Sequence, residues 1–283
     1  MSQNASPAAA RSADLPARFT AAIVMIAVAL AAIWFGGWPF RLLAAAAAAV
    51  MIDEWGAMHR LGKVWRWICA AALAIVLLFA AQYLYPVGQI DEIDGVEAIS
   101  ADSFEFLWQG FAAVAALAML LAIITRRVAM GWGTLYIGIP AFALLVLEWG
   151  QAYLVFWLMA LTWATDIFAY FAGRGIGGPK LAPRISPNKT WAGLLGGMAG
   201  AALIGALCAY LFDLDPIFYF AGAAMGLVAQ LGDLYESSVK RRRGVKDSGT
   251  ILPGHGGVLD RLDGMLPVIL VTLLLLMYLI GAL

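Results

Sequence analysis

Residues 240–264 read "KRRRGVKDSGTILPGHGGVLDRLDG". This stretch is basic at its start, acidic at its end and glycine-rich between. Ile217–Leu231 before it is apolar, broken mainly by glycines, and Met265–Leu283 after it is apolar almost to the last residue. A charged segment held between two apolar runs is either a membrane anchor or a site, and the other charges decide which. The chain is 63% hydrophobic and only 13% charged, with mean hydropathy +0.86. Those values exclude an ordinary soluble domain.

Working outward, the apolar residues fall into about nine runs: 19–36, 40–58, 66–85, 107–124, 132–148, 152–172, 191–212, 216–236 and 264–283. Each is long enough to cross a hydrocarbon core of roughly 30 Å as a helix. In lipid every backbone polar group needs an internal partner, and the alternation of a barrel strand is absent, so the runs are read as helices. The second run is the least regular, because Asp53 and Glu54 sit near its end. The expected fold is an all-α, polytopic membrane protein of about nine transmembrane helices. Counted from a cytoplasmic N-terminus, the outer side receives only Arg41 of the 18 lysines and arginines, which is the bias expected of inner loops. The chain is therefore placed as a multi-pass protein of the cell membrane, a bacterial inner membrane, with any site facing the cytoplasm.

Residues 1–18 read as a disordered cytosolic tail, 19–150 as Ala- and Leu-rich helices without recognisable chemistry, and 151–283 as the catalytic half. Cys69 and Cys208 lack metal-ligand spacing and read as core residues. Gly193, Gly196, Gly197 and Gly200 have the spacing that lets helices approach closely.

Several charged residues remain. Asp166, in "LTWATDIFAYFAGR", lies inside an apolar run. A carboxylate at a bilayer centre costs about 2.5–3.5 kcal/mol, so it is expected to face a protein interior or a wet cavity. Asp233, Glu236, Ser237 and Lys240 follow i, i+3, i+4, i+7 spacing and share a helix face. That stripe suits a metal and a phosphate, or else a solvated helix end. Asp260 and Asp263 are i, i+3 neighbours if the final helix begins there. Asp166, Asp233, Asp260 and Asp263 thus come from three runs, at one depth on one side. Converging hard oxygens suit Mg²⁺, which takes one or two carboxylates and completes its shell with water and phosphates. Two glycine-rich loops lie on the same side, "GRGIGGPKLAPRISPNKTWAG" (173–193) and "PGHGG" (253–257). Ser186, Asn188 and Thr190 can bond an anion or cap the next helix. Arg241–Arg243 suit a topology anchor at anionic lipid headgroups.

Ser237, Val239, Lys240-Arg241, Lys246-Asp247, Gly249, Leu252-Pro253, His255-Gly256-Gly257 and Asp260-Arg261-Leu262-Asp263 stand at the spacing of a family signature. Here the chain resembles the phosphatidate cytidylyltransferases (CDP-diacylglycerol synthases). "KLAP", "SPNKTW" and "GDLYES" are similar to further elements of that family. The chain departs from it at Ala192 and at Ile167-Phe168, where many relatives carry polar residues. The resemblance implies CTP and phosphatidate as substrates, and CDP-diacylglycerol and pyrophosphate as products. It implies Mg²⁺ on Asp233 and Asp260, with Asp166 and Asp263 as further ligands and a second cation left open. Lys240, Arg241, Lys246 and Arg261 would neutralise phosphates. Ser186, Lys189, Thr190 and Ser237 would hold phosphate oxygens. Lys240 joins the two aspartates as a catalytic group, and His255 either donates to pyrophosphate or shapes its turn.

Three rival readings stand beside this one, of which a structural or lipid-surface protein would keep the basic cluster yet tolerate loss of the aspartates. A CDP-alcohol phosphatidyltransferase needs a motif that Asp263-Gly264-Met265-Leu266 breaks. A transporter of an anionic solute should carry its charges near the midplane. Membrane lipid is an expected partner, nucleic acid is not, and a homodimer is left open.

Overall fold

A computed structural model describes residues 23–84, 90–93, 96–99, 101–252 and 256–279. The expected tail at 1–18, His255 and the last residues, 280–283, lie outside the described residues. The apolar runs are helices: α1 Ile23–Phe35, α2 Gly37–Met58, α3 Lys63–Phe79, α4 Ala101–Ile124, α5 Val128–Gly175, α6 Trp191–Leu211, α7 Pro216–Arg242, the single turn α8 Leu259–Leu262, and α9 Met265–Leu279. Two small antiparallel hairpins interrupt them. One pairs β1 Ile90–Ile93 with β2 Val96–Ile99, and the other pairs β3 Lys180–Ala182 with β4 Ser186–Thr190. The architecture is all-α apart from these.

Among the described residues, six helical stretches are long and apolar enough to cross a membrane. Two of them, Val128–Glu148 and Ala152–Gly175, are arms of α5. The other three expected runs are helical too but differ in kind. The described parts of α1 and α9 are shorter, and α2 carries Arg41, Asp53 and Glu54 within its 22 residues.

Helix α5 is assigned as one element of 48 residues, yet its axis is not straight. Tyr136 packs 5.0 Å from Tyr235 between ring centroids, and Asp166 lies within electrostatic reach of Asp233. Residues 136 and 166 would stand about 45 Å apart along a straight helix. The two arms must fold back on each other to reach the same part of α7. The sequence expectation of separate runs at 132–148 and 152–172 agrees with this.

The small residues of α6 allow the tight packing of the second half. Added Cβ atoms at Gly196 and Gly200 would strike Ala172 and Phe168 of α5, and one at Gly222 of α7 would lie 2.5 Å from the Ala201 carbonyl. Trp157 on α5 donates to the Gly205 carbonyl at 2.9 Å and stacks edge-on against Phe218 of α7. Thus α6 is wedged between the second arm of α5 and α7. Interfaces of this type gain from close backbone approach rather than from burial against water.

The basic loops meet at one end. Arg127 donates to the His59 carbonyl at 2.6 Å, Arg243 lies within electrostatic reach of His59, and Arg241 donates to the Ile185 carbonyl. The loops after α2, α4, α5 and α7 therefore share a single surface.

Candidate active site

Helix α7 supplies the spine of the site. Asp215 caps its start, accepting from Ile217 N at 3.0 Å, and Pro216 follows at the first position. The helix runs beyond residue 236, where the apolar run ended, to Arg242. Its last turn carries Lys240, Arg241 and Arg242, charges that the helix dipole favours there. The extra turns place Asp233, Glu236, Ser237 and Lys240 on one continuous face, as the spacing predicted.

Lys240 is the hub of that face. Its Nζ is 3.0 Å from Glu236 Oε1 and 2.6 Å from Asp260 Oδ1, and all three side chains are more than nine-tenths buried. Asp260 also accepts from Ser248 N at 2.8 Å and from Gly257 N at 2.8 Å. Burial acts to raise its pKa, but the Lys240 ammonium and these N–H groups outweigh that and hold the carboxyl below its usual range. Two turns before Lys240, Asp233 accepts from Ser237 Oγ at 3.1 Å and pairs with Lys189 at 2.5 Å. Lys189 reaches α7 from strand β4 and also donates to Gln230 at 2.8 Å.

The remaining carboxylates close around this line. Gly232 lets α9 approach, since an added Cβ would lie 2.6 Å from the Asp263 carbonyl. Asp263 therefore neighbours Glu236 and Asp233, and burial together with those two charges pushes its pKa well above the ordinary value. Asp166, exposed on α5, lies within reach of Asp233, Lys189 and Arg261. Asp233 thus neighbours both Asp166 and Asp263, while Asp260 is linked to Glu236 through Lys240. Glu236 is fully buried, its Oε1 sits off hydrogen-bond geometry to Lys240, and its Oε2 has no hydrogen-bond partner among the described residues.

Some expectations take a different form. The glycine-rich segment 173–193 is not an open loop over its length but contains the β3–β4 hairpin, with Lys180 opposite Thr190. Trp191 N closes it on the Pro179 carbonyl at 3.1 Å. Thr190 is buried and takes the capping role, accepting from Gly193 N at 3.0 Å. Asp260 and Asp263 do not lie along one final helix. α8 ends at Leu262 and α9 starts at Met265, so Asp260 turns back to Ser248 while Asp263 faces α7. Arg241 braces two segments, bonding the Ile185 and Val245 carbonyls. Ser186 is half-buried in β4, and Lys246 and Arg261 are exposed.

The Gly-Gly pair has a definite cause. Gly256 has φ +83°, and a Cβ there would lie 2.6 Å from Asp260 Oδ2. A Cβ at Gly257 would lie 2.6 Å from Glu54 Oε1 and would collide with Ser248 Oγ. Two carboxylates press on adjacent backbone units, which leaves no room for a side chain. Glu54 had no assigned role in the sequence reading. Its signal was there: an acidic residue in an apolar run, the same signal that singled out Asp166.

Among the described residues no three His, Cys, Asp or Glu side chains stand ready-made around a metal position. The donor set still fits a hard cation that keeps waters and binds through one or two carboxylates. Five carboxylates face two lysines and Arg261, and one buried glutamate oxygen is left without a partner. Buried charge of one sign calls for a counter-charge.

Comparison with known proteins places the chain in a family. The chain is 36% identical to the phosphatidate cytidylyltransferase of Brucella abortus biovar 1 (strain 9-941) over 287 residues, covering 95% of this chain and 94% of the relative. It is 34% identical to that of Pseudomonas aeruginosa, covering 89% and 93%. With that of Rickettsia bellii it shares 39% over 145 residues, 47% of this chain and 63% of the relative. A sequence model of the cytidylyltransferase family matches residues 16–279. The match spans every helix from α1 to α9, including α2 with its Asp53 and Glu54, and the chain belongs to the cytidylyltransferase family.

Proposed function

We propose that the chain joins CTP to phosphatidate, releasing pyrophosphate and forming CDP-diacylglycerol for phospholipid synthesis. The observation that carries this reading is the chain of paired charges Lys189–Asp233 and Glu236–Lys240–Asp260 at the basic end of the helices. The full-length relatives carry the matching name.

The lipid phosphate is already an anion, so its attack on the α-phosphorus of CTP needs no strong base. As the new P–O bond forms, the bond to the β-phosphate breaks and its electron pair leaves on pyrophosphate. The obstacle is repulsion between anions, and the remedy is positioning with electrostatic stabilisation. Lys189 and Lys240 are held by carboxylates, so their ammonium groups are placed ahead of substrate. Lys246 and Arg261, both exposed, are available to the triphosphate and the lipid headgroup. Arg241 ties the hairpin that carries Ser186 and Lys189 to the turn after α7. Thr190 acts through its cap, which fixes the backbone next to Lys189. Asp233 and Asp260 are the residues that would hold magnesium, with Asp166 and Asp263 as further ligands and a second cation left open. The chemistry magnesium supplies when bound is neutralisation of the triphosphate and of the departing pyrophosphate.

The finer topology belongs to the same reading: nine crossings of a bacterial inner membrane, the N-terminus inside, and the site facing cytosolic CTP. It is supported by the meeting of the basic loops on one surface. The test is full-length protein in detergent with CTP, phosphatidate and Mg²⁺. Pyrophosphate and a CDP-lipid should appear only when both substrates are present. Uptake of labelled CTP into sealed vesicles without product would favour transport instead.

A further inference from the structure

Helix α2 belongs to the half of the chain without evident chemistry, yet it sends one carboxylate into the site. Glu54 is 2% exposed. Its Oε1 accepts from Val258 N at 2.9 Å, and its Oε2 accepts from Leu259 N at 2.9 Å and from Ser248 Oγ at 3.2 Å. The partners are 194 to 205 residues away in sequence. They are also the segments held by Asp260, which accepts from the N–H groups of Ser248 and Gly257. Ser248 is shared, with its amide on Asp260 and its hydroxyl on Glu54.

The flanking residues show that Glu54 is set independently of the loop it holds. Asp53 makes a two-point bond to Arg66 of α3, at 2.9 and 2.6 Å. Trp55 donates to the Ala129 carbonyl of α5 at 2.8 Å. Three consecutive residues therefore point to three different parts of the protein, and the middle one grips the signature segment. Gly249 and Gly257 leave the space it needs, since a Cβ at either would lie 2.6 Å from Glu54 Oε1.

We infer that Glu54 is a positioning residue for cytidylyl transfer: it fixes the backbone at Ser248 and Val258–Leu259 so that Asp260 and Lys240 meet in one arrangement. It touches no reacting atom in this account and acts through Asp260. A fully satisfied buried polar network of this kind specifies a single geometry, and small misplacement at a reacting centre is costly. The inference rests on the proposed transfer reaction for its kinetic arm but not for its structural arm.

The experiment compares Glu54→Gln, Asp53→Asn and Ser248→Ala in full-length protein. Two quantities are read: steady-state kcat and KM for both substrates, and amide hydrogen exchange of peptides covering 245–262. Glutamine keeps the volume but turns an amide donor towards an N–H group. Glu54→Gln is expected to lower kcat at least about tenfold with KM changed less than about threefold. It should speed exchange at Val258 and Leu259 while leaving the α6 peptides unchanged. Ser248→Ala should shift both readouts in the same direction by less, and it decides the matter if Glu54→Gln does not fold. Asp53→Asn, which loosens α2 without touching the segment, should keep kcat within about twofold. Wild-type kcat in Glu54→Gln, unchanged exchange at Val258 and Leu259, or an equal loss of kcat in Asp53→Asn would each overturn the inference. A wild-type protein that makes no CDP-lipid would instead defeat the transfer reading, and the exchange arm would still report on the grip.

Discussion

Each end of helix α2 meets a buried glutamate that accepts a backbone N–H across the bundle, and the two serve different ends. At the start of α2, Glu148 of α5 accepts from Gly37 N at 2.8 Å. It lies within electrostatic reach of Arg41, which donates to Gln82 at 3.2 Å. About 26 Å further along α2, Glu54 accepts from Val258 and Leu259. Among the described residues, Glu148 interacts with one arginine and no lysine-bridged carboxylate. Beside the segment that Glu54 holds, Asp260, Lys240 and Glu236 are joined in a row, and further back along α7 Asp233 is paired with Lys189. The acceptor chemistry is the same at both ends. What differs is the density of exchangeable charge beside it. A lone carboxylate bonded to backbone fastens helices together, whereas one set beside lysine–aspartate pairs fastens groups that can trade partners with a cation or a phosphate.

This contrast can be broken experimentally. The largest effect is expected at the trading pairs: Asp233→Asn and Asp260→Asn should each reduce turnover by about a hundredfold or more, measured as pyrophosphate release, with the protein still inserted. Gly257→Ala should come next. Its new methyl would displace Glu54 or Ser248, costing about 1–3 kcal/mol of stability and about tenfold in kcat, read by thermal unfolding in detergent and by assay. Lys189→Ala should raise the KM for CTP about tenfold while lowering kcat less, since it removes a cation from a carboxylate that remains. At the other end, Glu148→Ala should cost about 1–3 kcal/mol by leaving Gly37 N without its acceptor, yet leave the rate per folded molecule within about twofold. A large loss of kcat in Glu148→Ala would erase the distinction between the two ends.

Much of the second half of the chain was legible because its order is local. The stripe Asp233, Glu236, Ser237 and Lys240 follows from helical period alone, and α7 displays it as expected. Membrane-depth aspartates announce themselves by their cost in lipid, which singled out Asp166. The close packing of α6 was readable from its small residues. Illegible were the matters decided by distant partners. Spacing put Asp260 and Asp263 on one helix, but a break at Asp263-Gly264 lets each meet a different neighbour. A glycine-rich stretch looked like an open loop, and pairing of Lys180 with Thr190 made it a hairpin. Thr190 offered both a cap and a phosphate ligand, and only the fold shows Gly193 N on its hydroxyl. Glu54 was passed over because its meaning lies about two hundred residues away.

The most direct measurement is divalent-ion binding by full-length protein, with Mn²⁺ as a paramagnetic stand-in for magnesium, followed by electron paramagnetic resonance in detergent. Wild-type protein should bind at least one Mn²⁺ competitively with Mg²⁺, and both Asp233→Asn and Asp260→Asn should weaken that binding by about tenfold or more. Equal binding by wild type and both variants would contradict the central claim that these two carboxylates share a cation between nucleotide and lipid.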